Sequence, residues 1–189
     1  MAVSIVPTRP IAGQKPGTSG LRKKTKIFME PGYLENYVQA IIEGVGGVAG
    51  REIVVGGDGR FFNDTAIGVI LRMLAANGAT RAIVGKDGIL STPAASNLIR
   101  VRKAYGGFVL SASHNPGGPD EDFGLKFNVS NGGPAPEPVT DAIFARTKEI
   151  AEYRIVPDEA PSIADLGIFD LAGMVVEIVD PVVDYVEMM

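Results

Sequence analysis

Apolar positions recur along this chain in two alternating rhythms. Leu34, Tyr37, Val38, Ile41, Ile42 and Val45 stand at i, i+3, i+4, i+7, i+8 and i+11. That spacing makes one apolar face of an amphipathic helix, and Gly46-Gly47 marks its stop. Glu52–Gly57 follows as a β-branched apolar run closed by glycines, the pattern of a buried strand. Ile67, Ile70, Leu71 and Leu74 renew the helical rhythm, with Asn63 placed to cap that helix and Gly78 just past its end. A short strand is expected at 81–85. A helix should open at Thr92-Pro93, since proline suits the first helical turn, and a third strand covers Gly106–Leu110. Val139, Ile143, Thr147 and Ile150 predict a further helix after the proline-rich stretch 132–138. Within 167–180 the run Met174–Val179 reads as a last strand. A short helix from about residue 181 then reaches Met189 without a capping signal. The chain is therefore expected to be part of a longer protein, with that helix leading into a following domain.

Strands alternating with helices in β-α-β-α-β order specify a largely parallel sheet with right-handed crossovers. The expected fold is α/β: a three-layer sandwich with a mostly parallel central sheet flanked by helices, with residues 1–189 as one domain. In such sheets ligands gather beyond the carboxyl ends of the strands. That rule directs attention to 111–124, a loop rich in Gly, Pro, Asn, Asp and Ser that follows the third strand.

Composition narrows the chemistry more than the fold. With 46% hydrophobic and 21% charged residues the chain is an ordinary globular one. Its net charge of −4 argues against nucleic-acid binding by broad phosphate neutralisation. No apolar run approaches the roughly 18–20 residues that span a membrane, and the N-terminus lacks the apolar core of a secretory leader. The absence of cysteine removes disulfides, thiolate nucleophiles and cysteine metal cages. A cytoplasmic enzyme, with neither nucleic acid nor membrane as partner, is the expectation.

Several motifs are excluded by their spacing. Gly78 and Gly85 are not followed by a Lys-Ser/Thr pair at the right place for a phosphate-binding P-loop, and Gly57-Asp58-Gly59-Arg60-Phe61-Phe62 lacks the third glycine of a dinucleotide fingerprint. The single histidine, His114, adjoins Ser113. Adjacent side chains are expected to diverge, so a hydrolase triad is not formed.

Three features remain. Ser111-Ala112-Ser113-His114-Asn115-Pro116 places a serine in a tight loop at the ligand-binding edge, where successive backbone N–H groups can face an anion. On residue types alone an ordinary polar turn is the plain alternative. Gly17-Thr18-Ser19-Gly20-Leu21-Arg22-Lys23-Lys24 sets two hydroxyls beside three cations; it reads equally as a phosphate-holding loop or a solvated basic one. In Phe123-Gly124-Leu125-Lys126-Phe127-Asn128 a lysine alternates with apolar neighbours, so it projects from a strand opposite to Leu125 and Phe127. A lysine on a strand is most often a surface residue. Asp120-Glu121-Asp122 reads as the solvated tip of a loop, and Gly56 to Arg60 offers a single carboxylate, too few for magnesium.

Taken together these segments resemble the α-D-phosphohexomutases, which carry a catalytic serine in a Thr/Ser-Ala-Ser-His-Asn-Pro loop. The strings from Ser113 to Pro119, from Asp122 to Asn128, from Asn131 to Glu137 and from Lys15 to Lys23 are similar to the phosphoglucomutase branch of that family. The resemblance implies a phosphoserine-bearing domain I. It implies Ser113 as carrier of a transferable phosphate that also ligates Mg²⁺, with Lys126 and His114 as candidates for charge neutralisation and proton transfer. Arg22, Thr18, Ser19 and Asn115 would bind phosphate. It further implies glucose 1-phosphate and glucose 6-phosphate as ligands, and glucose 1,6-bisphosphate as the intermediate. The remaining magnesium aspartates and the sugar-binding residues would lie in other domains of the same chain, so the isolated chain is expected to be inactive. The whole protein would be a monomer or small homo-oligomer. Two other readings compete: a non-catalytic phosphoprotein scaffold, and a domain of a phosphomannomutase or phosphoglucosamine mutase.

Overall fold

The computed structural model describes residues 2–189. In chain order it contains strands β1 (Ser4–Pro7) and β2 (Leu21–Lys24), helices α1 (Thr25–Phe28) and α2 (Tyr33–Gly44), and strand β3 (Glu52–Gly57). Helix α3 (Asn63–Ala76), strand β4 (Arg81–Ile89), helix α4 (Thr92–Val101) and strands β5 (Gly106–Leu110) and β6 (Asp122–Val129) follow. Helix α5 (Glu137–Thr147), strands β7 (Glu152–Ile155), β8 (Gly167–Leu171) and β9 (Met174–Val179), and helix α6 (Val183–Met188) complete it.

Seven strands form one sheet in the order β2-β6-β5-β3-β4-β9-β8. Its centre, β5-β3-β4-β9, is parallel. β6 runs antiparallel to β5, β2 to β6, and β8 to β9. The alternation of the strands sorts the core into two layers. Ile53 and Val55 of β3, Ala82 and Val84 of β4, and Phe108 and Leu110 of β5 pack with α2 and α3. Val54, Ile83 and Val109 point the other way, onto Ala95, Leu98 and Ile99 of α4. This is the expected three-layer α/β sandwich, with antiparallel strands added at both flanks of its parallel centre.

Local signals account for most boundaries. Ser91 caps α4, its hydroxyl accepting from Ala94 N–H at 3.2 Å with Pro93 in the first turn. At α3 the expectation fails. Phe62, not Asn63, precedes the helix, in a left-handed conformation (φ 74°) and without a side-chain cap. Its ring meets Phe123 edge-on at 5.4 Å, while buried Asn63 donates to Gly88 O at 3.3 Å. Tertiary packing overrides the capping signal there. β4 runs beyond residue 85 because it bulges: Val55 pairs with Val84, but Gly57 pairs with Ile89. α5 ends at Thr147, and Ile150 is buried beyond it.

β1, β2, β7 and β8 span only four or five residues each, too few for an alternating pattern to predict them. β1 and β7 make a separate two-stranded ribbon, with Ser4 opposite Ile155 and Ile5 largely exposed. β8 is an edge strand whose Ile168 faces solvent. The basic segment expected as a loop is in part the opposite edge strand, β2, with Arg22, Lys23 and Lys24 on it. Charged edge strands of this kind resist pairing with other chains.

Candidate active site

The site gathers where β5 ends. Ser111 continues the ladder, donating its N–H to Gly124 O at 2.9 Å, and Ala112 is buried. Ser113 then takes φ 58°, in the left-handed region, and is exposed. For a residue with a Cβ this conformation costs about 1–2 kcal/mol, and it persists only where the surroundings impose it. Here they do. Ser113 N–H donates to Ser111 Oγ at 3.0 Å, and Ser113 O accepts from Arg60 Nη2 at 3.3 Å.

The return of the loop is anchored by acids. Asn115 Nδ2 donates to Asp122 Oδ2 at 2.8 Å, and Asn115 N–H donates to Ala112 O at 3.2 Å. Asp122 also pairs with Lys24 at 2.9 Å, Glu121 reaches the same lysine, and Asp120 pairs with Lys26. Thr25 donates both its N–H and its hydroxyl to Glu121 O. Asp120-Glu121-Asp122 is therefore the seam that binds the serine loop to β2 and α1, and the expectation of a merely solvated tip is corrected. Lys24 beside Asp122 holds that carboxyl below the usual carboxylate range, with Asn115 assisting.

Arg22 and Lys126 share one face of the sheet. Lys126 lies opposite Val109, whose side chain belongs to the α4 layer; Arg22 lies opposite Gly124, two residues along β6 from Lys126. Gly124 is also the residue that Ser111 bonds, so Arg22, Gly124 and Ser111 form a row across three strands. Thr18 and Ser19 are the exposed tip of a tight hairpin closed by reciprocal bonds between Gly17 and Gly20 at 3.0 Å. Gly20 has φ 85° and lies against β6, where a Cβ would stand 2.4 Å from Leu125 O. Thr18 and Lys126 line one shallow cleft.

His114 departs from the expected geometry. Its Nδ1 lies 3.4 Å from Ser113 Oγ, because the left-handed turn at Ser113 brings two adjacent side chains to the same side. Asn115 is placed close by, but its amide is committed to Asp122. Asp58, Arg60, Asp122 and Lys24 were not singled out as site residues. The Gly57-Asp58-Gly59-Arg60 turn could have been, since it leaves β3 at the same sheet edge as the serine loop.

Lys126 is half-buried, and burial pushes its pKa below the usual lysine value, with the Arg22 cation adding to the effect. The folded state thus disfavours the charged form, and the unfolded chain does not. Between the depressed pKa and the ordinary value near 10.5 the unfolded chain binds more protons, so stability rises with pH across that window. Lys126→Met is expected to be more stable than the wild type at pH 7, by a margin that shrinks as pH climbs toward 10.5. Urea unfolding at a series of pH values measures it, and no gain at pH 7 would mean the lysine charge is fully solvated.

Among the described residues, no group of three or more His, Asp or Glu side chains is arranged to hold a metal ion. Asp58 is taken by Arg60 and Asp122 by Lys24. The donors of this chain do not by themselves fit magnesium. Nor is any helix among these residues long and apolar enough to cross a membrane.

The fold and site define an α/β/α domain that presents a strained, exposed serine beyond the carboxyl end of a parallel sheet, with the cations Arg22 and Lys126 on the two adjoining antiparallel strands. The family model described as phosphoglucomutase/phosphomannomutase, alpha/beta/alpha domain I, matches residues 13–154, and the chain belongs to that family. Phosphoglucomutase 1 of Drosophila melanogaster is 55% identical over 194 residues, covering 100% of this chain and 35% of that protein. The phosphoglucomutase of Rhizobium radiobacter is 50% identical over 187 residues, covering 99% and 34% respectively. Among solved structures, the open form of the exocytosis-sensitive phosphoprotein pp63/parafusin, a phosphoglucomutase from Paramecium, superposes with a TM-score of 0.94. It is 42% identical, over 99% of this chain and 36% of that one. The chain spans about a third of the length of the curated relatives it matches.

Proposed function

We propose that this chain is the serine-bearing domain of a phosphoglucomutase, and that Ser113 carries the phosphate exchanged between glucose 1-phosphate and glucose 6-phosphate. The observation that carries the reading is Ser113 itself, exposed and held in a left-handed conformation at the ligand-binding edge of the sheet, with Arg22 and Lys126 on the neighbouring strands. The relatives named phosphoglucomutase, about half identical to it, support the choice of sugar over mannose or glucosamine.

In the proposed cycle the phosphoryl group leaves Ser113 Oγ for a sugar hydroxyl, giving glucose 1,6-bisphosphate. The serine oxygen regains a proton as the hydroxyl loses one. The bisphosphate then returns its other phosphate to Ser113. Phosphoryl transfer depends chiefly on positioning and on neutralising charge at the transferring oxygens. The planar guanidinium of Arg22 matches phosphate with paired donors. Lys126 carries a lowered pKa, which suits it to hand over and recover a proton. His114, 3.4 Å from Ser113 Oγ, stands as a second candidate for that relay. Thr18 and Ser19 would contact phosphate from the hairpin tip, and Asn115 would act by bracing the loop. Magnesium would require carboxylates from outside this chain, with Ser113 phosphate as one ligand.

A phosphoprotein scaffold would need the serine but not the cations on the adjoining strands, which favours the enzyme. The test is to incubate the full-length protein with glucose 1,6-bisphosphate and map the phosphate by peptide mass spectrometry. Phosphate on Ser113 is expected. Phosphate on Ser111 would overturn the assignment.

A further inference from the structure

The Arg60 side chain is nearly enclosed, at 7% exposed, although it springs from a surface turn. Its Nε donates to both carboxylate oxygens of Asp58, at 2.9 and 3.1 Å, and its Nη2 to Asp58 Oδ2 at 2.8 Å. The remaining donors reach the serine loop: Nη2 to Ser113 O at 3.3 Å and Nη1 to Asp122 O at 2.7 Å. The N–H of Ser113 is held separately, donating to Ser111 Oγ at 3.0 Å. Both backbone polar groups of Ser113 are thus engaged, its carbonyl by Arg60 and its N–H by Ser111.

We infer that Arg60, oriented by Asp58, is a positioning residue that clamps the Ser113 carbonyl to the Asp122 carbonyl across the loop, keeps the Ser113 N–H on Ser111, and so holds the serine in its left-handed conformation. The inference rests on Ser113 being the phosphate carrier for its consequence in turnover, but not for the clamp itself. An arginine is required because a planar fork can engage one carboxylate and two carbonyls at once; an ammonium is a point donor without that geometry. The loop folds closely over the arginine, since a Cβ at Gly117 would lie 2.9 Å from Arg60 Cβ. Burial pushes the Asp58 pKa up, but bonds from Arg60 and Ser111 and the Arg60 charge outweigh it and hold the carboxyl below its usual range. The Asp58 carboxylate is therefore ionised throughout the neutral range.

Arg60→Lys keeps the charge and removes the fork. Amide hydrogen exchange of Ser113, followed by NMR in this chain, is expected to accelerate about tenfold in that variant, because loss of the charge-assisted bond to Ser113 O loosens the turn that keeps its N–H on Ser111 Oγ. In the full-length protein kcat should fall about 10²-fold, the scale of a small misplacement of the reacting group, with KM changed far less. Wild-type exchange at Ser113 in Arg60→Lys overturns the inference. Exchange reads the clamp without any phosphate, whereas the mapping of phosphate to Ser113 tests the enzymatic reading alone, so the two can fail separately. If Arg60→Lys does not fold, Asp58→Asn carries the same measurement: faster Ser113 exchange supports the clamp, and unchanged exchange overturns it.

Discussion

Replacing Ser113 by alanine is expected to reduce turnover of the full-length protein on the order of 10⁴–10⁶-fold, the scale on which removal of a covalent nucleophile acts. The side chain at 113 is exposed and makes no contact on which the core depends. Serine and alanine bear the same left-handed backbone cost, so stability should move by less than about 0.5 kcal/mol. Ser113→Gly sharpens the result. Glycine adopts positive φ freely, so this variant should be the more stable by roughly 1 kcal/mol while equally inactive. A steady-state assay coupled to glucose 6-phosphate formation, read beside denaturant unfolding, checks both halves. Near-wild-type turnover in Ser113→Ala would remove the serine from the mechanism. A Ser113→Gly variant no more stable than the wild type would mean that position 113 stores no strain.

The largest effect on stability is expected at Phe123. Its ring is fully buried and meets Phe28 at 4.9 Å and Phe62 at 5.4 Å, both edge-on. Truncating a buried phenylalanine to alanine costs about 3–5 kcal/mol, and each aromatic pair adds roughly 0.5–1.5 kcal/mol beyond the area buried. For a chain of this length each kcal/mol lowers Tm by about 2–4 °C, so Phe123→Ala should melt on the order of 10 °C or more below the wild type. Phe123 also sits between Asp122, which braces Asn115, and Gly124, which bonds Ser111. Whatever remains folded should thus lose the register of the serine loop. Phe61→Ala is the control. That ring is 49% exposed, and its loss should shift stability by less than about 0.5 kcal/mol. Thermal melts followed by circular dichroism separate the two, and equal melting of both variants would show that the aromatic cluster does not organise this end of the sheet.

Much of the architecture was readable from local pattern. The apolar faces of α2 and α3 and the strands β3, β5 and β9 come from residues whose periodicity records burial against a neighbouring layer. The serine loop was readable for the same reason, since a glycine- and proline-rich stretch after a buried parallel strand falls at the sheet edge where ligands collect. The alternation around Lys126 placed it on a strand, facing away from Leu125 and Phe127.

The strands that escaped notice are short and exposed on at least one side. β1 pairs with β7 some 150 residues away, and β2 and β8 are the two edges of the sheet. In a strand of four or five residues with one solvated side, the alternation covers too few positions to be decisive, and the partner strand completes the definition. The left-handed conformation of Ser113 is of the same kind. It is imposed by Arg60, whose bonds to Ser113 and Asp122 span 53 and 62 residues of sequence. The residue types at the site are written in the chain, but the strain that presents the serine arises only when two parallel strands bring distant turns to one edge.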